Sequence, residues 1–155
     1  MIILDKGREA LMHLIGGDLD MVAKGVYLEY SNNGGFSPPE VTPDRDRQYY
    51  EDLEGDEGYI RAIGLSNPLV ANVEGDVEAI FTALSNGEVI NGPGLTDTIS
   101  RVYAAALVAM PDPEDRTKDV VLFAGNMDEP VVKPANAQIS TRISITLPGE
   151  EESTE

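Results

Sequence analysis

The chain has 155 residues, 41% of them hydrophobic, which is enough for one real core, whereas two domains of half that size would each be marginal. Its 28 acidic and 11 basic residues give a net charge of -17, which opposes phosphate backbones and anionic lipid, so neither nucleic acid nor a membrane is expected as a partner. Cysteine is absent, which removes any disulfide framework or thiolate metal site, and neither an apolar run of about 18 residues nor a secretory leader is read.

In chain order, Asp5 is placed to cap a helix over residues 5–16. Ala10, Leu11, Leu14 and Ile15 form its apolar stripe, and Gly16-Gly17 its stop. From Met21 to Tyr30 the pattern turns to alternation, with Val22, Val26, Leu28 and Tyr30 on one face and Lys24 as the exception, so a first strand is predicted. Residues 31–58 follow as a long acidic loop. The stretch 36–58 holds Pro38, Pro39 and Pro43 with eight acids and two arginines, poor material for a packed element. Contact with a neighbour and plain disorder are equally open there.

Strand-like runs resume at residues 59–65 and 69–84, the latter interrupted at Gly75-Asp76. Ser85-Asn86-Gly87 reads as a hairpin turn, and Asn91-Gly92-Pro93-Gly94 as a break. Residues 98–110 fit a helix or a buried strand by periodicity. The β-rich Val120-Val121-Leu122-Phe123-Ala124 beyond a polar tip at 111–119 favours two buried strands in a wide hairpin. Residues 126–130 are expected to turn the chain again. The closing strand, 139–147, places Ile139, Thr141, Ile143, Ile145 and Leu147 on one face and Ser140, Arg142, Ser144 and Thr146 on the other, and is expected to close a hairpin with 120–124. Residues 149–155 read as an acidic tail. The expected fold is therefore an all-β antiparallel sandwich, jelly-roll-like, over residues 1–148, with one short N-terminal helix.

Little in the chain suggests chemistry. The only histidine, His13, lies on the helix and reads as a surface or half-buried residue rather than a catalytic base. Asp44, Asp46, Glu51, Asp52, Glu54, Asp56 and Glu57 do not follow the calcium-loop spacing and read as a solvated acidic stretch. No catalytic residue, metal ligand or cofactor is assigned, and the chain is not expected to be an enzyme. Only Lys6, Lys24, Lys118 and Lys133 are lysines, which fits either a halophilic source or an ordinary acidic surface.

Three segments together resemble small structural virion proteins and fibre-attachment domains of tailed phages and tailed archaeal viruses. They are Arg8 to Gly17 with Val26-Tyr27-Leu28-Glu29-Tyr30 running into Asn32-Asn33-Gly34, then Ile99 to Val108, and finally Val120 to Ala124 with Val131-Val132-Lys133-Pro134 and the closing strand. In the second segment alanines stand where the family carries glutamate and glycine. The resemblance implies a homo-oligomer, a ring or trimer, that joins fibres to tail or baseplate or decorates the capsid as a decoration or turret protein. Its location would be the virion and its partners other virion proteins. Contact surfaces are expected on the 36–58 stretch, at Phe36, Tyr49 and Tyr50, and on the 111–119 tip, at Arg116 and Lys118. A carbohydrate-binding module using exposed tyrosines as stacking platforms is the alternative.

Overall fold

The computed structural model describes residues 1–84, 87–94 and 97–149. It holds two antiparallel sheets. Its strands are β1 (Ile2–Ile3), β2 (Ala23–Ser31), β3 (Glu57–Ile63), β4 (Leu69–Val73), β5 (Asp76–Leu84), β6 (Glu88–Ile90), β7 (Ile99–Ala109), β8 (Val120–Lys133) and β9 (Ser140–Leu147). The larger sheet runs β1-β8-β7-β2-β3-β6 and the smaller β4-β5-β9. Two helices, α1 (Asp5–Ile15) and α2 (Arg47–Glu51), accompany them. Of the expected tail, 149–155, all but Gly149 lies outside the described residues.

The first core lies between the sheets. Val26, Leu28 and Tyr30 of β2, Ile60 of β3 and Val102 and Leu107 of β7 meet Ala83 of β5 and Ile139 and Ile143 of the smaller sheet's side. As the alternation of residues 139–147 predicts, Thr141 and Ile143 are buried while Ser140, Arg142, Ser144 and Thr146 face solvent. A second core covers the opposite face of the larger sheet, where Tyr27, Tyr59, Ala106 and Val108 pack against Tyr50, with Val41, Tyr49 and Leu53 at its margin. Residues 32–56 thus lie on the sheet as a third layer, and α2 forms within them. With both faces covered, β2 is buried from Gly25 through Ser31, a near-continuous run that alternation describes only in part.

Five expectations need correction. In α1, Leu4 rather than Asp5 takes the cap position. The buried face of this helix is Gly7 and Ala10, while Leu11 and Ile15 are exposed. The reason is a close approach: a Cβ on Gly7 would collide with the Leu122 carbonyl, so the smallest residues, Gly7 and Ala10, face β8, while Leu14 is half-buried and Leu11 and Ile15 are turned away. Residues 126–130 do not turn the chain out of the sheet. β8 continues to Lys133 and absorbs the irregularity as a register shift, with Asn126 opposite Ala104 and Val131 opposite Val102.

β9 does not pair with 120–124. Along that stretch β7 holds one edge of β8 and β1 the other, at Phe123 and Ala124, so β9 crosses to the smaller sheet and pairs with β5. Nor do the strands flanking Ser85-Asn86-Gly87 form a hairpin, since β5 pairs in one sheet and β6 in the other. Ser85 and Asn86 themselves lie outside the described residues. The interruption at Gly75 is a true hairpin, with Glu74 and Gly75 both at positive φ, 53° and 90°, between β4 and β5.

Candidate functional site

The charged residues that stand out lie between the larger sheet and the 32–56 layer. In β2, period-two alternation sends Tyr27 and Glu29 to the face opposite Val26 and Leu28. A bulge in β7 leaves Tyr103 without a counterpart, because Glu29 pairs with Ala104 and Tyr30 with Val102. Tyr103 thereby reaches Glu29. Glu29 accepts hydrogen bonds from Arg45 Nη1 at 2.6 Å, Tyr49 Oη at 3.0 Å and Tyr103 Oη at 2.9 Å. Arg45 lies over the Tyr49 ring, 3.8 Å from its centroid, and Phe36 stacks on Tyr103 at 4.9 Å.

Burial pushes the Glu29 carboxyl above its ordinary range, against the pull of Arg45 and of the two tyrosine hydroxyls. The hydroxyls of Tyr49 and Tyr103 are pushed up as well, first by burial and then by the charge of Glu29. They therefore act as donors to it.

A second cluster ties the 111–119 tip to β3. Arg61 clasps Asp119 through two hydrogen bonds, Nε to Oδ2 at 2.7 Å and Nη2 to Oδ1 at 2.9 Å, and its Nη1 donates to the Pro113 carbonyl at 2.9 Å. Tyr27 Oη also donates to Asp119. A bidentate guanidinium–carboxylate pair is both strong and directional, so it fixes the tip as well as neutralising the buried acid.

These clusters merge at the surface. Glu51 of α2 accepts from Tyr59 Oη at 2.6 Å and pairs with Arg47 at 3.1 Å and with Arg116 of the tip at 3.4 Å. Arg116 also reaches Glu88 at 4.0 Å. Two stretches more than 50 residues apart in sequence, each expected separately to make contacts, are therefore joined into one surface at Glu51 and Arg116.

The expected contact residues divide accordingly. Tyr50 is fully buried against Tyr27 and Tyr59, with ring centroids at 5.0 and 5.7 Å, and Tyr49 and Phe36 are half-buried. These three rings attach the layer to the sheet, and Phe36 and Tyr49 also line a shallow cleft on its outer side with Leu53 and Glu57. Arg116 is partly exposed, and Lys118 is exposed, 4.0 Å from Asp115. Of the chain's six tyrosines, five are buried and Tyr49 is half-buried.

Sequence reading missed Glu29, Arg45, Arg61 and Asp119. The available signal was charge inside strand-like runs, Glu29 between Leu28 and Tyr30 and Arg61 between Ile60 and Ala62, since an ionised group at such a position needs a partner. His13 is exposed on α1, 3.9 Å from Asp18, beside a cleft of about 430 Å³ that Lys6, Asp46 and Arg47 also line. Among the described residues no three His, Asp or Glu side chains gather as a metal-ligand set. No family model, curated protein or solved structure matches the chain.

Proposed function

We propose that the chain is a non-enzymatic structural subunit of a tailed virion, joining fibres to the tail or baseplate or decorating the capsid. The observation that carries this reading is the composite surface at Glu51 and Arg116. Two long connections, on opposite sides of the sequence, are held in one fixed arrangement by buried ion pairs. Pre-ordering a contact surface lowers the entropy lost when it meets a neighbour, which suits permanent assembly. On this reading the fold is a jelly-roll-like sandwich, residues 32–56 serve as its acidic contact loop, and the acidity of the surface reflects a saline setting. The carbohydrate-binding alternative loses its stacking platforms, since the tyrosines face inward.

Co-sedimentation of the purified chain with tailed virions, beside a glycan array, tests the proposal. The expected result is binding to particles, weakened by Arg116→Glu with Lys118→Glu, and no glycan hit. Glycan binding without particle binding would overturn it.

A further inference from the structure

The smaller sheet has two edge strands, β4 and β9, and the β4 edge is distinct from the composite surface. β4 is bonded to β5 on one side only, and all five of its residues are exposed, Leu69 at 72% and Val70 at 66%. Cross-strand pairing sets Val70 opposite Ala79 and Asn72 opposite Val77, on the face that carries Phe81 and Ile143 into the core. Yet on that same face Val77 and Leu147 are exposed at 41% and 62%. The smaller sheet thus overhangs the larger one. Pro68, just before β4, sits at the rim of an apolar cavity of about 390 Å³ lined by Phe81, Phe123, Leu107 and Ile145.

Edge strands are ordinarily guarded by a lysine, a proline, a bulge or a cover. Leu69-Val70-Ala71-Asn72-Val73 carries no charge and no proline, and its register with β5 is unbroken.

We infer that β4 pairs antiparallel with β4 of a second copy, about a two-fold axis at Ala71. Charge selects this occupant and this orientation. In a chain of net charge -17, an uncharged edge is where two copies meet with least repulsion. The two-fold sets Leu69 against the partner's Val73 and sends the acidic β4–β5 turn of each copy, with Glu74 and Asp76, to opposite ends of the junction. The Glu78 residues, opposite Ala71 on β5, fall three strand spacings apart, about 14 Å, beyond the screening length of about 8 Å at physiological salt. The junction adds about four to six main-chain hydrogen bonds and merges two three-stranded sheets into one of six. It is an isologous contact, closed on itself. This deepens the assembly reading above by naming one self-contact, and it does not depend on which particle the chain joins.

The test uses sedimentation velocity of the full chain over a range of concentration and salt, with co-sedimentation on virions run separately. A dimer is expected, tightening as salt rises. Ala71→Glu sets like charges face to face on an exposed position and should weaken it by about tenfold or more. Because the chain has no cysteine, Ala71→Cys should yield a covalent dimer under mild oxidation, while Leu19→Cys, also exposed but elsewhere, should not; this arm stands even if Ala71→Glu misfolds. A chain monomeric throughout, or a dimer indifferent to Ala71→Glu that gives no Ala71→Cys cross-link, would overturn the inference even if virion binding held.

Discussion

Arg61 and Asp119 lie 58 residues apart in sequence and meet through two parallel hydrogen bonds, with the Asp119 side chain fully buried and that of Arg61 7% exposed. Removing one member of such a pair leaves an uncompensated charge where water cannot reach it. Arg61→Ala should therefore cost about 3–5 kcal/mol. Arg61→Met with Asp119→Leu should recover most of that loss. Urea denaturation of both variants checks this, and a double variant no more stable than the single one would contradict it.

Glu29 makes stability depend on pH with a defined sign. Its ordinary value is 4.5, and burial raises it in the folded protein. Below the ordinary value both states hold the proton and the fold bears no buried charge from this group. As pH rises from there through the folded pKa, the unfolded chain ionises first and that stability is lost. Wild-type stability minus that of Glu29→Gln should thus fall as pH rises from the ordinary carboxylate value through the raised folded one, by about 1.4 kcal/mol per unit of separation in pKa. A difference that stays flat or rises would refute it.

Gly7→Ala should destabilise the protein although it improves helix propensity. Propensity favours alanine by about 1 kcal/mol. The added methyl meets the Leu122 main chain, which no rotamer change relieves, and overpacking of this kind costs about 1–3 kcal/mol. Gly16→Ala is the control, since its Cβ would rest at an ordinary 3.5 Å from the His13 carbonyl. Thermal melting should drop for the first variant and hold for the second.

Two tyrosines to phenylalanine should behave oppositely. The Tyr30 hydroxyl is buried without a hydrogen-bond partner among the described residues, in space left by Gly58 and Gly92, and burial pushes it up to about 12. Tyr30→Phe should be neutral or slightly stabilising. Tyr103→Phe takes a donor from buried Glu29 and should cost about 1.5–3 kcal/mol. Equal losses in chemical denaturation would show that the assigned hydrogen bonds do not separate the two sites.

The strands were legible where one face meets water. Residues 139–147 alternate because Ser140, Arg142, Ser144 and Thr146 are solvated, and β7 and β8 were found from apolar runs on either side of a polar tip. Pairing was less legible, because period fixes a strand's face and not its neighbour, and β1, two residues long, closes the edge of β8 that β9 was expected to take. Tyr49 and Tyr50 stand out in their stretch as its only tyrosines, but composition alone cannot say whether such a ring holds a partner or the chain's own sheet. Glu29 and Arg45 went unread for a related reason. The place of Glu29 between Leu28 and Tyr30 signals a need for a partner but does not name one, and Arg45, in an acidic stretch without alternation, carries no such signal.

The bonds at Glu29 also constrain the order of folding. Its donors come from 16 and 20 residues downstream, in the 32–56 layer, and from 74 residues downstream, in β7. Until β2 and β7 are in register, closing residues 32–56 over Glu29 would strand its carboxylate without Tyr103. The covering layer should therefore seat late, on a sheet already assembled, and slow steps in refolding should follow the long-range pairing of β2 with β7 rather than the layer that covers it.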